Sequence, residues 1–192
     1  MSTLKVGTIQ DHSNSNTAIS IDSAGQVNLP NTTMIQQWQL TSNIGSNDAT
    51  LTPFATSTIA SQVLAKAGAS MSHSSGVFTF PKTGLYRVVL DMCGINGNGA
   101  GGAQDNYINV RINLSTNSGG AYTVIKEVIS GATGSIAFGH TGDVLINVTD
   151  ASTFRVKFVT ASLGSGSVIN GNAANDFGYT TATFERLTDA QS

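Results

Sequence analysis

The side chains that could carry acid–base, nucleophilic or metal chemistry are few and do not gather. The three histidines, His12, His73 and His140, stand in unrelated polar stretches with no paired ligand spacing. Surface or turn positions suit them better than metal binding or general-base work. The acids are scattered, and no Asp-x-Asp-x-Asp run offers calcium an oxygen-rich loop. Cys93 is the one cysteine and cannot make an intrachain disulfide. Within Leu90-Asp91-Met92-Cys93-Gly94-Ile95 it reads as a buried thiol. The glycines of residues 97–102 are followed by no Gly-Lys-Ser/Thr and by no helix start. They read as a strand connection, not a phosphate cradle. No Gly-x-Ser-x-Gly elbow occurs. The expectation is a protein without catalytic residues, metal site or cofactor, and not an enzyme.

What the chain must position is therefore packing and surface. The organising stretch is Gly76-Val77-Phe78-Thr79-Phe80-Pro81-Lys82-Thr83-Gly84-Leu85-Tyr86-Arg87-Val88-Val89-Leu90. Phe78 and Phe80 stand two apart, which buries one face of a strand. Pro81 has no N–H to give a ladder and Gly84 permits backbone angles that other residues resist, so the break between the two apolar runs is tight. The expectation is two antiparallel strands through the core, joined by a short corner.

Only 10% of the residues are charged and the net charge is −2, which leaves no electrostatic footprint for nucleic acid. Glycine is abundant at 21 residues and proline scarce at 3, a composition of turns and polar strand faces and not of disorder. Met1-Ser2-Thr3-Leu4-Lys5-Val6 lacks the apolar core of a signal peptide, and no run of about 18 apolar residues is present to span a membrane. The expectation is a product made and assembled in a cytoplasm.

Residues 1–33 differ from the rest. Ile19 and Ile21 alternate, Asp22-Ser23-Ala24-Gly25 makes a turn, and Val27 and Leu29 alternate before Pro30 ends the run. This reads as a small hairpin on an arm, which must dock on something because a lone hairpin is marginal in water. Leu4, Val6 and Ile9 are the other apolar positions of the arm. Residues 34–192 read as the head. Strands are expected over 35–40, 51–54, 107–114, 122–129, 135–138, 140–148, 153–159 and 179–187. The glycine-rich loops 96–103 and 164–175 and the turns at 117–120 and 150–152 punctuate them. Residues 59–66 have a spacing that a helical turn would also satisfy, but their Thr/Ser-rich flanks favour a short strand or loop. Regular short strands between turn signals argue for an all-β sandwich, with the single Trp38 as a half-buried anchor.

Two resemblances follow from these residues. Gly76, Phe78, Pro81, Gly84 and Tyr86 form Gly-x-Phe-x-x-Pro-x-x-Gly-x-Tyr, which resembles the central signature of the complement-subcomponent and tumour-necrosis-factor superfamily of trimeric jelly-roll heads. Gly142-Asp143 opening a late strand, a Phe-x-Val strand at Phe154 and a terminal Tyr/Phe strand continue the likeness over roughly residues 34–187. The chain departs from that family in having no cysteine pairs and no collagen stalk. The resemblance implies a jelly-roll β-sandwich and a homotrimer. The aromatic residues Tyr107, Tyr122, Phe138, Tyr179 and Phe184, more than one thin sandwich needs, are then the candidate trimer contact, as closed symmetry is the default for homo-oligomers. Some superfamily heads hold calcium near the threefold axis, but no residue here maps to such a site.

The second resemblance is in the arm. Ser2-Thr3-Leu4-Lys5-Val6-Gly7-Thr8-Ile9-Gln10 leading to an Ile-x-Ile-Asp-Ser-x-Gly-x-Val-x-Leu-Pro hairpin looks like the openings of virion structural proteins of marine, especially cyanobacterial, bacteriophages. It implies a virion protein assembled in the host cytoplasm, anchored through Leu4, Val6, Ile9, Ile19, Ile21, Val27 and Leu29 to the major capsid protein or a tail protein. The head would serve as a capsid decoration (cement) protein. The alternative is a tail or capsid fibre tip whose loops read a host surface receptor. Asn113-Leu114-Ser115 and Asn147-Val148-Thr149 match the glycosylation pattern, which a chain made in a bacterial cytoplasm would not use. Nucleic acid and membrane are not expected partners.

Overall fold

Period-two alternation of apolar and polar side chains runs through most of this chain, and the backbone follows it into strands. The computed structural model describes residues 8–10, 17–21, 23–25, 27–28, 34–56, 58–59, 62–63, 66–97, 107–131, 137–164, 166–172 and 178–191. The arm region contributes β1 (Thr8–Gln10), β2 (Thr17–Ile21) and β3 (Val27–Asn28). Then come β4 (Met34–Leu40), β5 (Phe54–Thr56), β6 (Thr58–Ile59), β7 (Gln62–Val63), β8 (Ser72–Ser74) and β9 (Val77–Thr79). The long strands are β10 (Gly84–Ile95), β11 (Tyr107–Ser115), β12 (Thr123–Gly131), β13 (Ala137–Val148) and β14 (Arg155–Ala161). β15 (Val168–Ile169) and β16 (Thr181–Thr188) close the chain.

The architecture is an all-β jelly-roll sandwich. One sheet has the order β13-β10-β16-β4-β5, with β15 also paired to β10; the other has the order β12-β11-β14-β9-β8. Every pairing is antiparallel. β4 and β5, β8 and β9, and β11 and β12 pair as sequence neighbours, whereas β9 and β10, β10 and β11, β12 and β13, and β13 and β14 lie in different sheets. Ladders such as β16–β4 and β11–β14 therefore join strands far apart in the sequence. β1, β2 and β3 pair with one another in a small sheet of their own. Within residues 59–66, β6 and β7 pair antiparallel, so the described part of that segment is strand and not a helical turn.

The central stretch differs from its sequence reading in one respect. The runs on either side of the corner are not paired with each other. β9 lies between β8 and β14 in the second sheet, whereas β10 lies between β13 and β16 in the first. The corner at residues 80–83 therefore carries the chain across the sandwich. The physical reason is that period-two spacing specifies which face of a strand is buried, not which strand lies beside it. Phe78, Phe80 and Tyr86 are all inside, at 0%, 2% and 0% exposure. The Phe80 and Tyr86 rings pack across the corner with centroids 4.8 Å apart. The Tyr86 hydroxyl donates to the Lys82 carbonyl at 2.9 Å and clamps it.

Gly76 has a stronger reason to be glycine than the corner. The β8–β9 hairpin turns on Ser75 and Gly76, with φ of 49° and 80°. Such a two-residue turn requires positive φ at both central positions. A Cβ on Gly76 would also lie 2.6 Å from Thr50 Cγ2 and 2.8 Å from the Leu51 carbonyl oxygen, because the turn is pressed against residues 50–52.

Phe78 sits at the centre of the core. Its ring lies 4.8 Å from Phe184, 5.3 Å from Phe54, 5.5 Å from Trp38 and 5.7 Å from Phe158, so one side chain of the second sheet touches three aromatic residues of the first. Phe78→Ala is expected to cost about 3–5 kcal/mol. For a chain of this size that lowers the melting temperature by roughly 6–20 °C. Thermal unfolding followed by circular dichroism checks it, and a melting temperature within about a degree of the parent would remove Phe78 from the centre of the core.

Candidate functional site

The ionisable groups do not assemble into a chemical site. Among the described residues no three His, Cys, Asp or Glu side chains stand close enough together to hold a metal ion. His140 is exposed on β13 and His12 lies outside the described residues. Cys93, expected to be buried, is half-buried instead: its odd position in β10 turns it to the outer face of the first sheet, opposite Gly139. His73 is not a plain surface residue either. Its ring lies 4.6 Å from Phe78, 5.5 Å from Trp38 and 6.1 Å from Phe54, and burial holds its pKa below the ordinary histidine value.

The five aromatics expected at a subunit contact are not brought together. Phe184 is fully enclosed in the core of its own protomer, and Phe138 lies over Gly94 at 9% exposure. Phe184 alternates with outward-facing Thr183 and Glu185 on β16, a central strand, which is why it faces the opposite sheet. Tyr107 opens β11, whereas Tyr122 sits near the far end of the same strand pair, half-buried beneath Lys157, whose Nζ is 4.2 Å from the ring centre. Tyr179 is exposed just ahead of β16. Tyr107 and Tyr179 are thus the two of the five left largely exposed.

The outer face of the first sheet presents a surface that aromatic content did not reveal. The register places Ile35, Glu185, Arg87 and Leu145 in one row across β4, β16, β10 and β13. Leu145 is 58% exposed, Leu187 39% and Ile35 38%, and Leu85 and Val89 are half-buried beside them. Polar groups lie within and around these positions, with Arg87 and Glu185 standing between Leu145 and Ile35 in the row. Arg87 Nε donates to Asp143 Oδ2 at 2.9 Å, Thr141 donates to Asp91 at 2.6 Å, and Gln37 reaches the hydroxyl of Thr183 at 3.3 Å. The sequence did carry a signal for it. In Val88-Val89-Leu90 and Val144-Leu145-Ile146 three apolar residues follow one another, and a strand must turn the middle one outward.

A second surface is the end of the sandwich where the two Gly/Asn-rich loops arise. Their bases are tied together. Gly94 and Ile95 pair with Ile169 and Val168. Ser167, 1% exposed, donates to Asn96 Oδ1 at 3.0 Å and accepts from the Gly97 amide at 3.0 Å. Residues 98–106 and 173–177, which carry the rest of these loops, lie outside the described residues. In the arm, Ile9 is registered with Ile19 and Ile21 with Val27, and Ile21 is 44% exposed. Leu4, Val6 and Leu29 lie outside the described residues. Ser167→Ala removes a donor from one buried group and an acceptor from another, so it is expected to destabilise the head by about 1–3 kcal/mol. Chemical denaturation measures this; a midpoint equal to that of the parent would show that the loop bases are not held by this serine.

No family model matches the chain, and no curated protein matches it in sequence. Its fold does recur among solved structures. The Eiger TNF of S. frugiperda superposes with a TM-score of 0.59 at 12% identity, over 84% of this chain and 96% of that one. Murine APRIL at pH 8.5 superposes with a TM-score of 0.54 at 8% identity, over 81% and 99%. The likeness is one of fold, the jelly roll of tumour-necrosis-factor-like domains.

Proposed function

We propose that this chain is a non-enzymatic virion structural protein of a bacteriophage, a homotrimer that decorates the capsid. The arm binds the shell and the jelly-roll heads face outward. The observation that carries the self-association is the set of outward apolar side chains on the outer face of the first sheet, interspersed with Arg87 and Glu185. A monomeric sandwich alternates apolar-in and polar-out, yet Ile35, Leu145 and Leu187 stand outward among polar groups, a mixed apolar and polar surface of the kind protein interfaces present. The tumour-necrosis-factor-like fold and the preference of homo-oligomers for closed symmetry support a threefold arrangement. The anchoring role rests on the arm. Strands as short as β1, β2 and β3 do not make a stable unit by themselves, so a partner surface completes them. The phage reading itself rests on the sequence of that arm. The major capsid protein is its proposed partner.

A second reading, a tail or capsid fibre tip that binds a host receptor, is favoured by one observation. The two Gly/Asn-rich loops spring from bases clamped by Ser167, a rigid platform for recognition loops. Copy number separates the two, since hundreds per particle belong to a shell and a few to tens belong to a tail.

Light scattering at micromolar concentration is expected to give three times the 19.8 kDa chain mass. Leu145→Lys should shift that mass toward one chain without unfolding the head; a stable wild-type monomer would overturn the trimer. Deleting residues 1–30 is expected to leave a folded trimeric head that no longer sediments with particles lacking the protein. Equal binding by the truncated and full-length chains would place the attachment in the head.

A further inference from the structure

One edge of the sandwich is closed by β5 and β8, the last strands of the two sheets. Where they meet, Phe54, Trp38 and Phe78 surround the ring of His73. His73 Nε2 accepts a hydrogen bond at 3.1 Å from the backbone amide of Gly76, across the turn that joins β8 to β9. Only a neutral imidazole with an unprotonated Nε2 can make that bond. β8 has three residues and pairs only with β9, so it is held by few backbone bonds.

From these contacts we infer that His73 is an acid-sensitive latch on the edge hairpin. Neutral, it packs as one more ring of the aromatic cluster and holds the turn shut. Protonated, it loses its capacity to accept from Gly76 and brings a charge into an apolar setting, and residues 72–79 loosen. Among the described residues the charge finds no compensating acid nearby. β8, β5, β9 and β4 carry no ionisable side chain other than His73. From residue 49 to residue 81 the only other ionisable side chain is Lys66, which is exposed. On the strands one step further out, Lys157 lies over Tyr122, Arg155 is bonded to loop carbonyls, Glu185 is on the outer face and Arg186 is paired with Asp189. Burial alone lowers the His73 pKa. A group whose folded pKa is depressed contributes stability above its unfolded value, near 6.5, and loses it as pH falls through the folded value. The latch therefore opens on the acid side of 6.5.

Trp38 is the only tryptophan, and its ring is 5.5 Å from His73, within reach of quenching by an imidazolium. His140 is three strands away from Trp38 in the sheet, about 14 Å from strand spacing alone. Titrating tryptophan emission of the full-length protein from pH 8 to pH 5 is expected to show one transition with a midpoint below 6.5. That transition should persist in His140→Gln and vanish in both His73→Gln and His73→Phe, two variants that keep the test alive should one fail to fold. Amide hydrogen exchange at residues 72–79, compared at pH 5, should be several-fold faster in wild type than in His73→Phe. A flat wild-type titration, a transition surviving both His73 substitutions, or equal exchange at pH 5 would each overturn the latch.

Discussion

Everything in this fold depends on aromatic contact between the two sheets. There is no disulfide to close the sandwich, because Cys93 is the only cysteine, and with 10% of residues charged there is little from which to build ion pairs. One joins the buried Arg186 of β16 to the exposed Asp189, but two of those between strands are exposed: Arg87 and Asp143 have side chains 47% and 50% accessible, and Arg111 and Glu127 35% and 41%. Pairs of that kind contribute about 0–1 kcal/mol each. A phenylalanine such as Phe78 buries on the order of 200 Å², which at about 25 cal/mol/Å² is worth up to about 5 kcal/mol. Packing therefore decides the stability, and the rings of Phe54, Phe78, Phe158 and Phe184 hold the sheets in register.

Polar groups inside the sandwich fasten the segments that are not strands. The Gln36 side chain, 3% exposed, accepts from the Met71 amide at 2.8 Å and ties residues 66–71 to β4. Thr160, fully buried, accepts from the Ala49 amide at 2.9 Å and donates to the Ser46 carbonyl at 2.7 Å. That threonine holds the loop after β4 against β14. Arg186 is buried beside the corner, where its Nε donates to the Thr83 carbonyl at 2.9 Å, so the crossing between sheets is held by a charged hydrogen bond as well as by Tyr86. Each of these side chains replaces a backbone partner that a ladder would supply.

Around this interior the described residues leave three surfaces. The outer-face row from Leu145 to Ile35, the clamped loop bases at Ser167 and Asn96, and the small sheet of the arm are three separate surfaces of one chain. Self-association, display and anchoring are the corresponding roles in the proposed virion protein. His73 belongs to none of these surfaces. It lies at the edge opposite β12 and β13, and it links proton concentration to the tightness of that edge.

β8 was not marked in the sequence, β15 lies in a stretch read as loop and β13 was read as two strands, but the amino-acid sequence by itself determined the all-β class, the other long strands in outline, the hairpin of Ile21 and Val27, and the inward face of Phe78 and Phe80. These are local properties: period-two spacing selects a buried face, and Gly, Pro and Asn mark the turns. Only the tertiary structure decided that β9 and β10 belong to different sheets, because partner choice depends on long-range contacts that alternation does not encode. It also decided which aromatics remain outside. Phe184 and Phe138 were claimed by the core of their own protomer, and Tyr107 and Tyr179, whose hydroxyls suit a wet surface, stayed exposed. His73 shows the same division most plainly. In Ser72-His73-Ser74 it is an unremarkable turn residue, and its three aromatic neighbours come from positions 38, 54 and 78, which only the closing of one sheet over the other could bring to a single imidazole.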